Sequence, residues 1–153
     1  MAKKSTAPIP LRRIAREWSF QYLYQADISG GETDEIDWFW DQCIENCTHK
    51  LGNREIKKIR RLADRFIEGV TEHMVEIDEI ITEFATNWTI ERMAVVDRNI
   101  LRLGTYEIKY CDDIPPQVTI NEAIEIVKGF GSEDSKSFIN GILDKVFTTY
   151  GSA

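Results

Sequence analysis

The stretch LRRIAREWSFQYLYQAD, residues 11–27, places Arg12, Arg13 and Arg16 ahead of a run rich in aromatic side chains. An arginine guanidinium is a planar fork of donors that matches phosphate oxygens, and nearby rings offer faces on which unpaired bases stack. Wound as a helix at about 100° per residue, the three arginines fall within one sector about 100° wide. Leu11, Ile14, Ala15, Trp18 and Tyr22 lie mostly on the other side, and Phe20 and Tyr24 come round near the edge of the basic sector. The arrangement suits single-stranded RNA. The competing reading takes the rings as core, because the later part of the helix is apolar almost all round. Leu23 reads as core; Phe20 and Tyr24 stand open.

A second candidate is GFGSEDSKSF, residues 129–138. Glycines, serines and a helix start supply backbone donors for a phosphate, and Lys136 and Phe138 add a charge and a stacking ring. Glu133 and Asp134 repel phosphate, so this site is weak on physical grounds alone. Cys43, Cys47 and His49 lack the paired spacing and fourth ligand of a zinc site, and packing or plain surface is the better reading. No P-loop, GxSxG, HExxH or Rossmann glycine pattern is present. His49 and His73 have no evident Ser or Cys partner. The sequence therefore predicts a protein that is not an enzyme and carries no cofactor or metal.

The net charge of −7 is unevenly spread. Residues 1–16 hold Lys3, Lys4, Arg12, Arg13 and Arg16 without an acid, and residues 17–49 hold eight acids without a lysine or arginine. Residues 50–65 swing back, with seven basic residues against Glu55 and Asp64. A local positive patch attracts polyanions even on an acidic body. Solvated helix faces account for the same runs equally well.

These residues need elements to position them. Ile56, Ile59, Ala63, Phe66, Val70, Met74, Ile77, Ile81 and Phe84 recur at steps of three and four, the stripe of amphipathic helix. Gly69 and the polar residues after it predict two helices there. A further stripe, Met93 to Ile108, ends at CDDIPP, where prolines stop a helix. Thr119 and Glu122 have the spacing of a capping box, Gly129 and Gly131 mark a helix end, and Ser132 can cap the last helix. Residues 37–47 make another helix. The expectation is an all-α chain of about seven helices, one compact domain at 153 residues, with residues 1–10 a flexible basic arm. No apolar run approaches the roughly 18 residues of a membrane span, and no secretory signal precedes the first helix. Three cysteines without a framework spacing suit a reducing compartment, so the expected location is cytoplasmic.

VDRNILRLGTYEI (96–108), the prolines, and VTINEAIEIVKGFGSEDSKSFINGILDKV (118–146) together resemble the NusB family of bacterial transcription antitermination factors. Ala15-Arg16 and Gln21-x-Leu23-Tyr24-Gln25-x-Asp27 extend the likeness to the start, and residues 28–52 are the least diagnostic. The resemblance implies two small helical bundles packed together, forming an RNA-binding domain over residues 11–150. It implies partners: the ribosomal protein NusE, the single-stranded boxA element of nascent RNA, and the RNA polymerase antitermination complex, chiefly on ribosomal RNA operons. It implies an RNA surface at Arg12, Arg13, Arg16, Arg102, Asp134, Lys136 and Phe138, and a NusE contact at Asp97 and Tyr24. An acid at that contact suits a basic ribosomal protein; an ion pair of Asp97 with Arg98 or Arg102 is the competing role. Ile14 interrupts an arginine run that is longer in many members, and Lys3 and Lys4 are expected to compensate. Two other readings remain: an accessory RNA module like those of ribosomal RNA cytosine methyltransferases, and a helical homodimer joined through Trp38 and Trp40.

Overall fold

The computed structural model describes residues 4, 8–30 and 36–151. Among the described residues seven α-helices follow one another: α1 Leu11–Ser29, α2 Ile36–Asn46, α3 Asn53–Glu72, α4 Met74–Phe84, α5 Val95–Tyr110, α6 Pro116–Phe130 and α7 Glu133–Tyr150, with a 3-10 turn at Ile90–Arg92. This is the all-α chain that the periodicity predicts. Contacts divide it into two units, Met1–Arg65 and Phe66–Ala153, so the boundary falls within α3.

In the first unit the late, apolar part of α1 meets α2 through rings. Trp18 and Trp40 lie 6.0 Å apart between centroids, and Tyr22 and Phe39 meet edge-on at 5.6 Å. Each such pair contributes about 0.5–1.5 kcal/mol beyond the apolar area it buries. Trp40 is 2% exposed, so it cannot serve a dimer contact as expected; Trp38, at 54%, faces outward. Small residues bring α1 against α3. The Ser19 hydroxyl donates to the Ala15 carbonyl at 2.7 Å and stands 3.4 Å from that of Ala63. Of the basic arm, Lys3 lies outside the described residues, and Lys4 Nζ donates to the Ile44 carbonyl at 3.4 Å.

In the second unit α5 is the axis. Asn99 to Ile108 are all buried, as a helix must be when neighbours cover every side. Helices α4, α6 and α7 are those neighbours. The two helices expected here are found, with the break at His73, in the polar stretch after Gly69, while Gly69 itself lies inside α3. A Cβ at Gly69 would stand 2.1 Å from Tyr106 Cζ, so the glycine admits that ring rather than ending the helix. The capping box expected at Thr119 is also displaced. Helix α6 starts at Pro116, where a proline costs no hydrogen bond. That leaves Thr119 one turn inside, where its hydroxyl donates to the buried Glu107 carboxylate at 3.2 Å.

Candidate functional site

Helix α1 begins after Pro10, with no side-chain cap and no acid in its first turn. Its unsatisfied N–H groups and dipole are positive, and Arg12 and Arg13, both exposed, add to that charge. Arg16 corrects the three-arginine face: it is 3% exposed and belongs to the interior of its unit. Phe20 is core at 1% and Leu23 at 4%, whereas Tyr24 is half-buried with its ring 6.1 Å from that of Phe20.

In the second unit a groove of about 620 Å³ runs along the starts of α5 and α7. Asp97, Asp134 and Phe138 line it together with Trp88, Arg92 and Ser135. Asp97 lies in the first turn of α5 and accepts a hydrogen bond of 2.7 Å from Ser135 Oγ. Ser135 also closes the capping box of α7, accepting from the Ser132 backbone N–H at 3.3 Å. Asp97 thus holds the start of α7 in place while facing the groove. The Trp88 and Phe138 rings meet edge-on at 6.4 Å, and Trp88 is 51% exposed. Together they form an aromatic wall of the groove. The acidic side of the groove supplies acceptors, which suit exocyclic base amines rather than phosphates.

Lys136 is half-buried on α7 and does not line this groove. Arg102 is a second correction, because its guanidinium turns inward. Its Nε and Nη2 donate to the two carboxylate oxygens of Asp78 at 2.9 and 3.0 Å, and its Nη1 donates to Asn99 Oδ1 at 3.3 Å. At 9% exposure it organises the α4–α5 contact. Trp88, Arg92 and Ser135 were not foreseen. Trp88 alone carried a signal, a large ring in the polar run ATNWTIER, off every helical stripe. Burial pushes the Cys43 thiol up to about 12, with Cys47 nearby adding to the effect, the reverse of what a nucleophile or metal ligand requires. Among the described residues no group of three His, Cys, Asp or Glu side chains is placed to hold a metal, and no helix is long and apolar enough to cross a membrane.

The fold defines a class, all-α proteins assembled from small helical units. Within it the NusB family model matches residues 13–148, and the chain belongs to the NusB family. It is 43% identical over 144 residues to the transcription antitermination protein NusB of Thermodesulfovibrio yellowstonii, covering 88% of this chain and 90% of that one. Against NusB of Geobacter sulfurreducens identity is 44% over 139 residues, covering 90% and 94%. Among solved structures, T. maritima NusB superposes with a TM-score of 0.74 at 34% identity, covering 98% of this chain and 96% of that one. A chain from the complex of antitermination factors NusB and NusE with double-stranded RNA gives 0.74 at 25% identity, covering 94% and 100%.

Proposed function

We propose that this chain is a cytoplasmic transcription antitermination factor, binding boxA-type single-stranded RNA together with NusE and joining the polymerase antitermination complex on ribosomal RNA operons. The observation that carries this reading is the groove between α5 and α7, where acids and rings converge on a surface able to read bases. Phe138 and Trp88 would stack on bases, and Asp134 would accept from a base amine. Arg12 and Arg13, at the positive start of α1, would hold phosphates and set affinity without choosing sequence. Lys136 adds a long-range charge. Asp97 and Tyr24 are assigned to the NusE contact, Asp97 through the turn of α7 that it anchors. The role is binding, with no catalytic step.

A boxA-like strand titrated with and without NusE at several salt concentrations tests this. Binding should tighten with NusE and weaken linearly in log salt. Arg12→Ala with Arg13→Ala should lower the slope by about 1.4, at about 0.7 per phosphate contact on a single strand. Phe138→Ala should weaken boxA binding more than binding of an unrelated strand. Equal affinity for boxA and scrambled RNA in the presence of NusE would end the proposal.

A further inference from the structure

One charged surface has no part in that function. On α3, Arg54, Lys57, Lys58, Arg61 and Arg65 recur at steps of three and four, and all five are exposed. At about 100° per residue they share one sector about 100° wide, opposite the buried side that carries Ile59 and Ala63. From Arg54 to Arg65 the row is roughly 16 Å long at about 1.5 Å per residue, enough to follow several consecutive phosphates. Glu55 and Asp64, the only acids over this length, fall outside the sector on either side. Among the described residues none forms an ion pair with Arg54, Lys57, Lys58 or Arg61.

The row also works against its own helix. Arg54 and Lys58, Lys57 and Arg61, and Arg61 and Arg65 are like charges four residues apart, an arrangement that weakens a helix. A face required only to be soluble would gain by alternating sign. The row contains no ring or aliphatic side chain of the kind protein interfaces bury at their centre. A one-signed row without an apolar centre is the footprint of binding through counterion release.

We propose that this face of α3 is a second RNA site, a sequence-independent track for the sugar-phosphate backbone of the strand flanking the specifically recognised element. The inference rests on the RNA-binding function above and adds a set of residues other than Arg12, Arg13 and those that line the groove. The track makes affinity depend on RNA length, which base readout does not.

The test compares a short boxA-like strand with the same strand extended by an unstructured uridine tract, with NusE present, over a salt series. The proteins are the wild type, a variant carrying Lys57→Gln, Lys58→Gln and Arg61→Gln, and one carrying Arg12→Ala and Arg13→Ala. The wild type is expected to bind the extended strand roughly tenfold more tightly than the short one at low salt. The α3 variant should lose that gain and about 2 of the salt slope on the extended strand, keep its affinity for the short one, and melt no lower than wild type. Equal affinity of the wild type for both strands overturns the track, as does an α3 variant that keeps the full length-dependent gain. If the α3 changes alter only self-association or NusE binding, the row belongs to a protein interface and the track is overturned. If the wild type binds the short strand no better than a scrambled one, the RNA function itself fails, an outcome distinct from losing the track.

Discussion

Arg102 shows why a residue's chemistry is legible in a sequence while its direction is not. It stands in the strongly family-like run DRNILRL, and a guanidinium there invites a phosphate. Its partner is Asp78, 24 residues away on another helix, and only the packed unit brings the two together. The side chains of Arg102 and Asp78 are 10% and 25% exposed, so the pair is neither a surface bridge nor a fully buried one. Arg102→Ala leaves a carboxylate that water reaches only in part. The expected cost is about 1–3 kcal/mol, below that of breaking a fully buried pair. Urea unfolding should show this loss while boxA affinity stays at the wild-type value for the folded fraction. A drop in affinity without a drop in stability would return Arg102 to the RNA surface. Arg16 carries the same lesson, since helical spacing placed it with Arg12 and Arg13 but packing drew it inside. Asp134 and Phe138, by contrast, line a groove where their residue types suit bases.

At the scale of elements, the helices were legible wherever an apolar stripe ran between punctuating residues. The two features misplaced, Gly69 and Thr119, sit where a local signal competes with a tertiary demand. Gly69 looks like a break because glycine weakens a helix, yet the Tyr106 ring needs the space a Cβ would fill. Thr119 looks like a cap, but Pro116 starts α6 one turn earlier and Thr119 is used to pair Glu107. Helices α4 and α5 are further tied by Glu76, whose carboxylate accepts from both Lys109 Nζ and the Tyr110 hydroxyl. The hydrogen bond from Lys109, then that from Tyr110, holds the Glu76 carboxyl below its usual range. Its support is therefore full above the ordinary carboxylate pKa and is lost as pH falls through the lowered folded value. Burial first, and Glu76 second, push the Tyr110 phenol up to about 12. That contribution is full below the ordinary tyrosine pKa near 10 and is lost as pH rises through about 12. Glu76→Gln should lower the Tyr110 transition without returning it fully to the ordinary value, because the larger cause, burial, remains. An alkaline absorbance titration, with Tyr110→Phe identifying the transition, measures this; an unmoved transition would refute the role given to Glu76.

For the whole molecule, the partition of charge matters more than the net value of −7. Basic residues gather at the start of α1 and along α3, while residues 17–49 hold eight acids and no lysine or arginine. Under the proposed function, an RNA strand and a basic protein would thus be attracted by separate parts of one chain. Their salt responses should differ in kind, because RNA affinity reflects counterion release whereas protein association reflects steering at encounter. On α2, Asp37, Asp41 and Glu45 are exposed at successive steps of four, forming an acidic row on one side of that helix. If this row steers NusE, then Asp37→Asn, Asp41→Asn and Glu45→Gln together should slow NusE association several-fold at low salt and little at high salt. The dissociation rate should scarcely change, since exposed charges act mainly before contact forms. RNA affinity measured without NusE should stay level or rise slightly, because removing acids cannot weaken a polyanion's attraction. Stopped-flow association at two salt concentrations reads both rates. An unchanged association rate at low salt would leave the acidic run as a solvated surface and put the recognition of NusE on contacts such as Tyr24 and Asp97 alone.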